Sequence, residues 1–290
     1  MPALLQQQGH LPITDGWPCN VRELPRDSTP ESNAWSTRRL DSAWDDSPVA
    51  TTGVQRLVDH LVEAPVGDSL AAELADWLTV SARFRRFVEA HRDKVRKKLR
   101  VVDDVDGRRD VRAELRVAAL LLADRRIELA FEPGGSTRGG PDFTIAFRGH
   151  PAFFLEVTRL RRAPDEAGIG GVVLAKLRQL PPSLPSVLLV DAGARDVAGL
   201  PLDTAIRTLR ARADASDAAT LSRGGFGSPR AFYQRFLRLG AVVVVGQAAA
   251  ADGRAVLWTN PSAHLVAPPP ALRASLAALR SGIGQRRSPG

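Results

Sequence analysis

Cysteine is almost missing from this chain: Cys19 is the only one among 290 residues. A single thiol can form neither an internal disulfide nor a cysteine-based zinc site, so an apolar core has to hold the fold and a reducing, cytoplasmic setting is expected. No apolar run approaches the roughly 18 residues that a membrane helix needs. The start, MPALLQQQGHLP, also lacks a basic stretch followed by a long apolar one, so neither secretion nor membrane insertion is expected. Lysine is scarce as well. Lys94, Lys97, Lys98 and Lys176 are the only four, which makes 36 of the 40 basic residues arginine. With abundant Ala, Gly and Pro, this skew reads as the mark of a GC-rich coding genome rather than a special use of arginine. The five histidines, at 10, 60, 91, 150 and 264, show no metal-ligand spacing, and no G-x-S-x-G elbow occurs. GGSTRGG lacks the lysine and Ser/Thr ending of a P-loop, and GIGG near 168 does not complete a dinucleotide fingerprint.

What is present is an ordinary globular composition, 44% apolar, with a formal charge of +8. That charge makes an acidic partner, nucleic acid above all, the first one to consider, although a basic excess spread over a surface can simply keep a protein in solution. Residues 1–48 carry six prolines among polar residues and no sustained period, and read as a disordered tail. Residues 49–105 read as a helical extension: VQRLVDHLVEA, then one longer helix whose apolar positions 70, 74, 77, 78, 84, 87, 88, 95 and 99 keep helical spacing. Its basic end, HRDKVRKKLR, suits a helix C-terminus as a solvated face, and equally suits contact with phosphates. A third helix is expected from about 110 to 126, with Glu114 in its first turn.

From there the period changes to that of strands. IELAFEP alternates, and PDFTIAF and AFFLEVTRL flank the turn RGHP as a hairpin. Helices and strands then alternate through VVLAKLRQL, SVLLVDAG, LDTAIRTLRARA, FYQRFLRL, AVVVVGQ and RAVLWTN. This order predicts a three-layer α/β/α domain with a mixed central sheet over 106–266, followed by a peripheral tail over 267–290 in which Pro268-Pro269-Pro270 precedes a short Ala/Leu/Arg helix.

In AFFLEVTRL, Phe154, Glu156 and Thr158 share one face, in a strand apolar enough to be central. A glutamate there is costly to bury unless it is paired or bound to a metal. Asp142, 14 residues earlier behind Gly139-Gly140-Pro141, begins the preceding strand. It reaches the Glu156 face only if the hairpin loop is odd or contains a bulge. Two carboxylates on adjacent strands, with the Val157 carbonyl, would offer hard oxygen ligands for Mg²⁺ or Mn²⁺ and so phosphodiester chemistry. Each residue also has a plainer reading. Asp142 can start a turn, Glu114 can be a dipole-stabilised first-turn acid, Glu156 can pair with an arginine, Lys176 can be a solvated helix residue, and Thr158 an ordinary strand residue.

Together these residues resemble the PD-(D/E)xK nuclease superfamily of restriction endonuclease-like enzymes. Glu114 matches the helix acid, Pro141-Asp142 the second element and Glu156-Val157-Thr158 the third, over roughly 110–192. The resemblance implies a restriction endonuclease-like core, with Asp142, Glu156 and Val157 at a Mg²⁺ or Mn²⁺ ion and Glu114 orienting ligands or waters. Thr158 departs from the pattern, because lysine stands there in the family. Some members move the basic residue to the following helix, where this chain has Lys176, three residues before Gln179; Arg159 and Arg161 are the other local cations. The implied function is metal-dependent hydrolysis of nucleic acid. The alternative is a domain that kept the fold, lost catalysis and binds nucleic acid or a protein partner.

Overall fold

The computed structural model describes residues 48–62, 69–102, 104–132, 140–161, 165–197, 199–246 and 255–281. Cys19, the tail expected to be disordered up to 47, most of GGSTRGG and the chain beyond 281 lie outside the described residues.

The helical extension begins with α1 (Pro48–Leu61). The single long helix expected after it is three helices instead: α2 (Ser69–Val80), α3 (Ala82–Ala90) and α4 (Arg92–Val101). Ser81 takes an extended conformation and its hydroxyl accepts the Phe84 N–H, so it caps a new helix where the periodicity alone continues one. His91 interrupts the helix again at φ −117°. The apolar stripe survives both breaks, from Leu70 and Leu74 through Phe84 and Val88 to Val95 and Leu99, all buried. Helix α5 (Val105–Leu121) starts earlier than expected because Asp104 caps it through the Gly107 N–H. Glu114 therefore lies in the middle of α5, and its reading as a first-turn acid is excluded.

Six strands follow: β1 (Ile127–Phe131), β2 (Phe143–Phe147), β3 (His150–Arg159), β4 (Ser186–Asp191), β5 (Leu239–Val245) and β6 (Ala255–Thr259). They form one mixed sheet in sequence order. The pairs β1–β2, β2–β3 and β5–β6 are antiparallel, whereas β3–β4 and β4–β5 are parallel. The crossovers carry α6 (Glu166–Lys176) after β3, and α7 (Leu202–Asp214), α8 (Ala218–Arg223) and α9 (Pro229–Phe236) after β4. Helix α8 has no counterpart in the sequence reading; Asp217 caps it by accepting the Ala219 and Thr220 N–H groups.

Helices cover both faces of the sheet. Val157, Val187, Leu189 and Val243 pack with α1 to α5, and Leu188, Val190, Val242 and Val244 with α6, α7 and α9. Strands β4 and β5 are buried at every position, which is why SVLLVD and LGAVVVV are apolar runs rather than alternating ones. Each large apolar side chain so buried contributes about 1.5–3 kcal/mol before entropy is counted.

The carboxy-terminal stretch is not peripheral. Residues Pro269–Ser281 form α10, which buries Ala271, Leu272, Ala274, Ala278 and Leu279 in the core shared by α1 to α5 and the sheet. Their helical spacing gives α10 an apolar face that water would otherwise meet.

One arginine sets α5 against the sheet. Arg83 donates to the carbonyls of Leu122 (2.8 Å), Asp124 (2.6 Å) and Ile127 (2.6 Å), which satisfies acceptors left open where α5 ends and β1 begins.

Candidate active site

The hairpin register decides whether the two strand acids meet. The turn Arg148-Gly149 joins Phe147 to its partner His150, and Gly149 supplies the positive φ of +74° that the tight turn needs. A regular ladder from that two-residue loop would pair Asp142 with Leu155 and point it away from Glu156. A bulge between Ile145 and Phe147 shifts the register by one, so that Phe143 pairs with Leu155. One step further on, Asp142 stands opposite Glu156 on the same face, the bulge alternative of the parity condition.

Strand β2 stops at Phe143, while β3 runs on to Arg159 and pairs there with β4. The Val157 N–H, past the end of the β2 ladder, donates to Asp142 Oδ2 at 2.8 Å. Where β2 runs out, side chains from both helical layers reach the sheet. From α5 comes Glu114, 7% exposed, and from α4 comes Lys98. Lys98 Nζ lies 2.5 Å from Glu114 Oε2, 3.3 Å from Glu132 Oε1 and 3.4 Å from Asp142 Oδ1, with the Phe131 ring centroid at 5.4 Å. From the opposite layer, Lys176 at the end of α6 donates to Glu156 Oε1 at 2.8 Å and to Gln179 Oε1 at 2.9 Å. The plainer reading of Lys176 as a solvated helix residue does not describe this contact.

Charge and burial act together here. Burial, joined by the Asp142 charge, pushes the Glu156 carboxyl up to about 7 against the pull of Lys176. Burial and Asp142 also push the Glu114 carboxyl well up, with Lys98 opposing. Burial alone would lower the Lys98 ammonium, but Glu114, Asp142 and Glu132 outweigh it and raise the lysine instead. Lys98 therefore stays charged, and Glu114 is the member of that pair whose ionisation is contested. Four carboxyl groups face the two ammonium groups that touch them, so full ionisation leaves two negative charges uncompensated.

Among the described residues, no three histidine, cysteine, aspartate or glutamate side chains form a ready cage for a metal ion. The Lys98 ammonium stands among three of the carboxylates instead. The donors themselves fit a hard divalent cation: they are all oxygen, their full ionisation leaves a double negative excess, and Asp142 acts on both Glu114 and Glu156.

The other local cations are used elsewhere. Arg159 binds Asp110 (2.7 Å) and Asp106 (3.0 Å), and Arg161 binds Asp110 (2.5 Å), which tie the end of β3 to α5. Thr158 shares the Glu156 face, since its partner Val190 and the Glu156 partner Leu188 lie in the same core. The cation that reaches Glu156 comes from α6 instead. GIGG lies within α6, where Gly170 faces α7: a Cβ there would make an ordinary contact, 3.6 Å, with the Ala205 carbonyl. The cleft lined there by Asp165, Glu166, Gly170, Gly171, Thr208 and Arg212 includes none of Glu114, Asp142 and Glu156.

Sequence reasoning missed Lys98, Glu132 and the role of Gln179. Composition held a usable signal. In a chain where arginine has taken 36 of 40 basic positions, three of the four lysines lie at this site, the third being Lys94, whose Nζ meets the Phe131 (3.3 Å) and Glu132 (3.4 Å) carbonyls.

Comparison with known proteins finds no matching family model, no matching curated protein and no matching solved structure.

Proposed function

We propose that this chain is a metal-dependent nuclease with a restriction endonuclease-like core, hydrolysing phosphodiester bonds in nucleic acid. The observation that carries the reading is the meeting of Glu114, Asp142 and Glu156 where β2 ends, with Lys176 delivered to Glu156 from the following helix. Acids from a helix and two strands, in the order of the PD-(D/E)xK pattern, have then come together although they span 43 positions of sequence. Lys176 stands in for the lysine that Thr158 lacks.

In this reading Asp142, Glu156 and the Val157 carbonyl hold one Mg²⁺ or Mn²⁺ ion, and Glu114 orients ligands or waters. Such an ion, when bound, polarises a phosphoryl oxygen and lowers the pKa of its water. The remaining roles belong to the chain. Asp142 is fixed by the Val157 N–H, so one of its oxygens is oriented before any ligand arrives. Lys176, held between Glu156 and Gln179, would present its Nζ where charge grows on the phosphate. Helix α4, which sends Lys98 inward, lines a cleft on its other side with Arg96, Lys97 and Arg100 beside a single acid, Asp93, a net positive surface suited to a phosphate backbone.

The test is Mg²⁺- or Mn²⁺-dependent cleavage of single- and double-stranded DNA and RNA by the parent, Asp142→Ala and Glu156→Ala. Loss of cleavage in both variants with nucleic-acid binding retained is the expected result. Equal cleavage by all three refutes the assignment. Binding without cleavage by the parent favours a noncatalytic nucleic-acid-binding domain.

A further inference from the structure

Lys98 is an unusual neighbour for a metal site. Its side chain is 24% exposed, and its ammonium lies within 3.4 Å of three carboxylates that a divalent ion would otherwise attract. The arrangement is built rather than incidental. Glu132 takes a left-handed backbone conformation, φ +43°, which a residue with a Cβ adopts only when its surroundings hold it there. That conformation is held by the Glu132 N–H donating to the Asp142 carbonyl at 2.8 Å and by Lys94 at the Glu132 carbonyl. Its effect is to bring a third carboxylate, 22% exposed, onto the Lys98 ammonium. The Phe131 face closes another side of the same ammonium.

We infer that Lys98 is a resident cation of the acidic cluster: its ammonium holds the place that a second divalent ion would take among Glu114, Glu132 and Asp142. The inference deepens the nuclease reading and rests on it for the ion at Asp142 and Glu156. Two-metal phosphodiester sites set their ions about 3.5–4 Å apart, with a carboxylate shared between them. Asp142 has the position of such a bridge, with one oxygen toward Lys98 and its charge acting on Glu156. A fixed ammonium supplies one positive charge there without depending on metal concentration. It also leaves room for a single exchangeable ion, on the Glu156 side. In this view Lys98 is a positioning residue that keeps Glu114 and Asp142 oriented, while Lys176 serves the reacting side.

The count of bound ions tests this directly. Mn²⁺ is titrated into the full chain, with calorimetry and the electron paramagnetic resonance of free Mn²⁺ as readouts, for the parent, Lys98→Gln and Lys98→Arg. The parent is expected to bind one ion and Lys98→Gln two, while Lys98→Arg, which keeps the charge, stays at the parent value. A Lys98→Gln count equal to that of the parent overturns the inference, and so does a raised count in Lys98→Arg. Removing the ammonium takes from buried Glu114 its charged partner, so Lys98→Gln is expected to be destabilised in EDTA; Mn²⁺ must then restore the fold, and failure to do so overturns the inference as well. Glu156→Gln separates the two ideas. Loss of the parent ion in that variant supports the catalytic metal site, whereas an ion unaffected by it refutes that site and leaves the increment on Lys98→Gln to be judged by itself.

Discussion

Replacing Lys176 by methionine should produce a stability defect that grows with pH. Glu156, 8% exposed, has its carboxyl raised to about 7 even with the Lys176 ammonium 2.8 Å away. In the unfolded chain the same carboxyl titrates near 4.3. A carboxyl whose pKa is raised by folding favours the folded state fully below the unfolded value and loses that advantage as pH rises through the folded value. In the parent the loss is complete just above pH 7. Without Lys176 the folded pKa climbs further, and the loss continues at about 1.4 kcal/mol per pH unit. Between pH 6, where both folded proteins hold the proton, and pH 8.5, the variant should therefore fall behind the parent by a further ~2 kcal/mol. For a domain of this size that corresponds to roughly 4–8 °C in melting temperature. The assay is urea unfolding of both proteins at pH 6, 7.5 and 8.5, in EDTA so that no ion replaces the ammonium. A penalty equal at pH 6 and 8.5, or larger at pH 6, refutes the placement of Lys176 as the partner of a proton-holding Glu156.

Other expectations concern the ion and the frame around it. Because Glu156 is protonated below about 7, Mn²⁺ must displace a proton there, so its affinity should rise about tenfold per pH unit below neutrality and level off above it, as calorimetry in buffers of different ionisation heat would report. Arg83→Met removes three carbonyl contacts between α5 and β1, and should cost about 3 kcal/mol in urea unfolding; an unchanged midpoint counts against that bracing. Asn260 is buried, donates to the Phe236 (3.1 Å) and Leu239 (2.8 Å) carbonyls, and accepts the Ser262 N–H. Asn260→Ala should cost about 1–3 kcal/mol yet leave Mn²⁺ binding unaltered, and a change in ion affinity would give this asparagine a role at the site that its position does not suggest.

The elements of the site were more legible than its geometry. The alternation of AFFLEVTRL marks Glu156 as a buried acid in a strand, and Pro141-Asp142 marks the start of another, because both signals are local. Helix α5 starts five residues before the expected 110, since Asp104 is an unobtrusive cap, and Glu114 lies in the buried middle of the helix rather than in its first turn. The breaks at Ser81 and His91 were hidden because the apolar stripe passes through them unchanged. A short helix after the prolines at 268–270 is legible in the sequence, whereas the burial of its apolar face is not, because that depends on the core it packs against.

Sequence alone determined which acids exist, in what order, and on which kinds of element, because side-chain alternation and helical spacing act over a few residues. It left the parity of the hairpin open, and a one-residue bulge between Ile145 and Phe147, which no local alternation signals, put Asp142 beside Glu156. It also placed Lys98 on a basic helix end that suited solvent. Only the tertiary structure brings that ammonium onto Glu114, Glu132 and Asp142, because the distance between residues 98 and 142 depends on how α4, α5 and the sheet share one core.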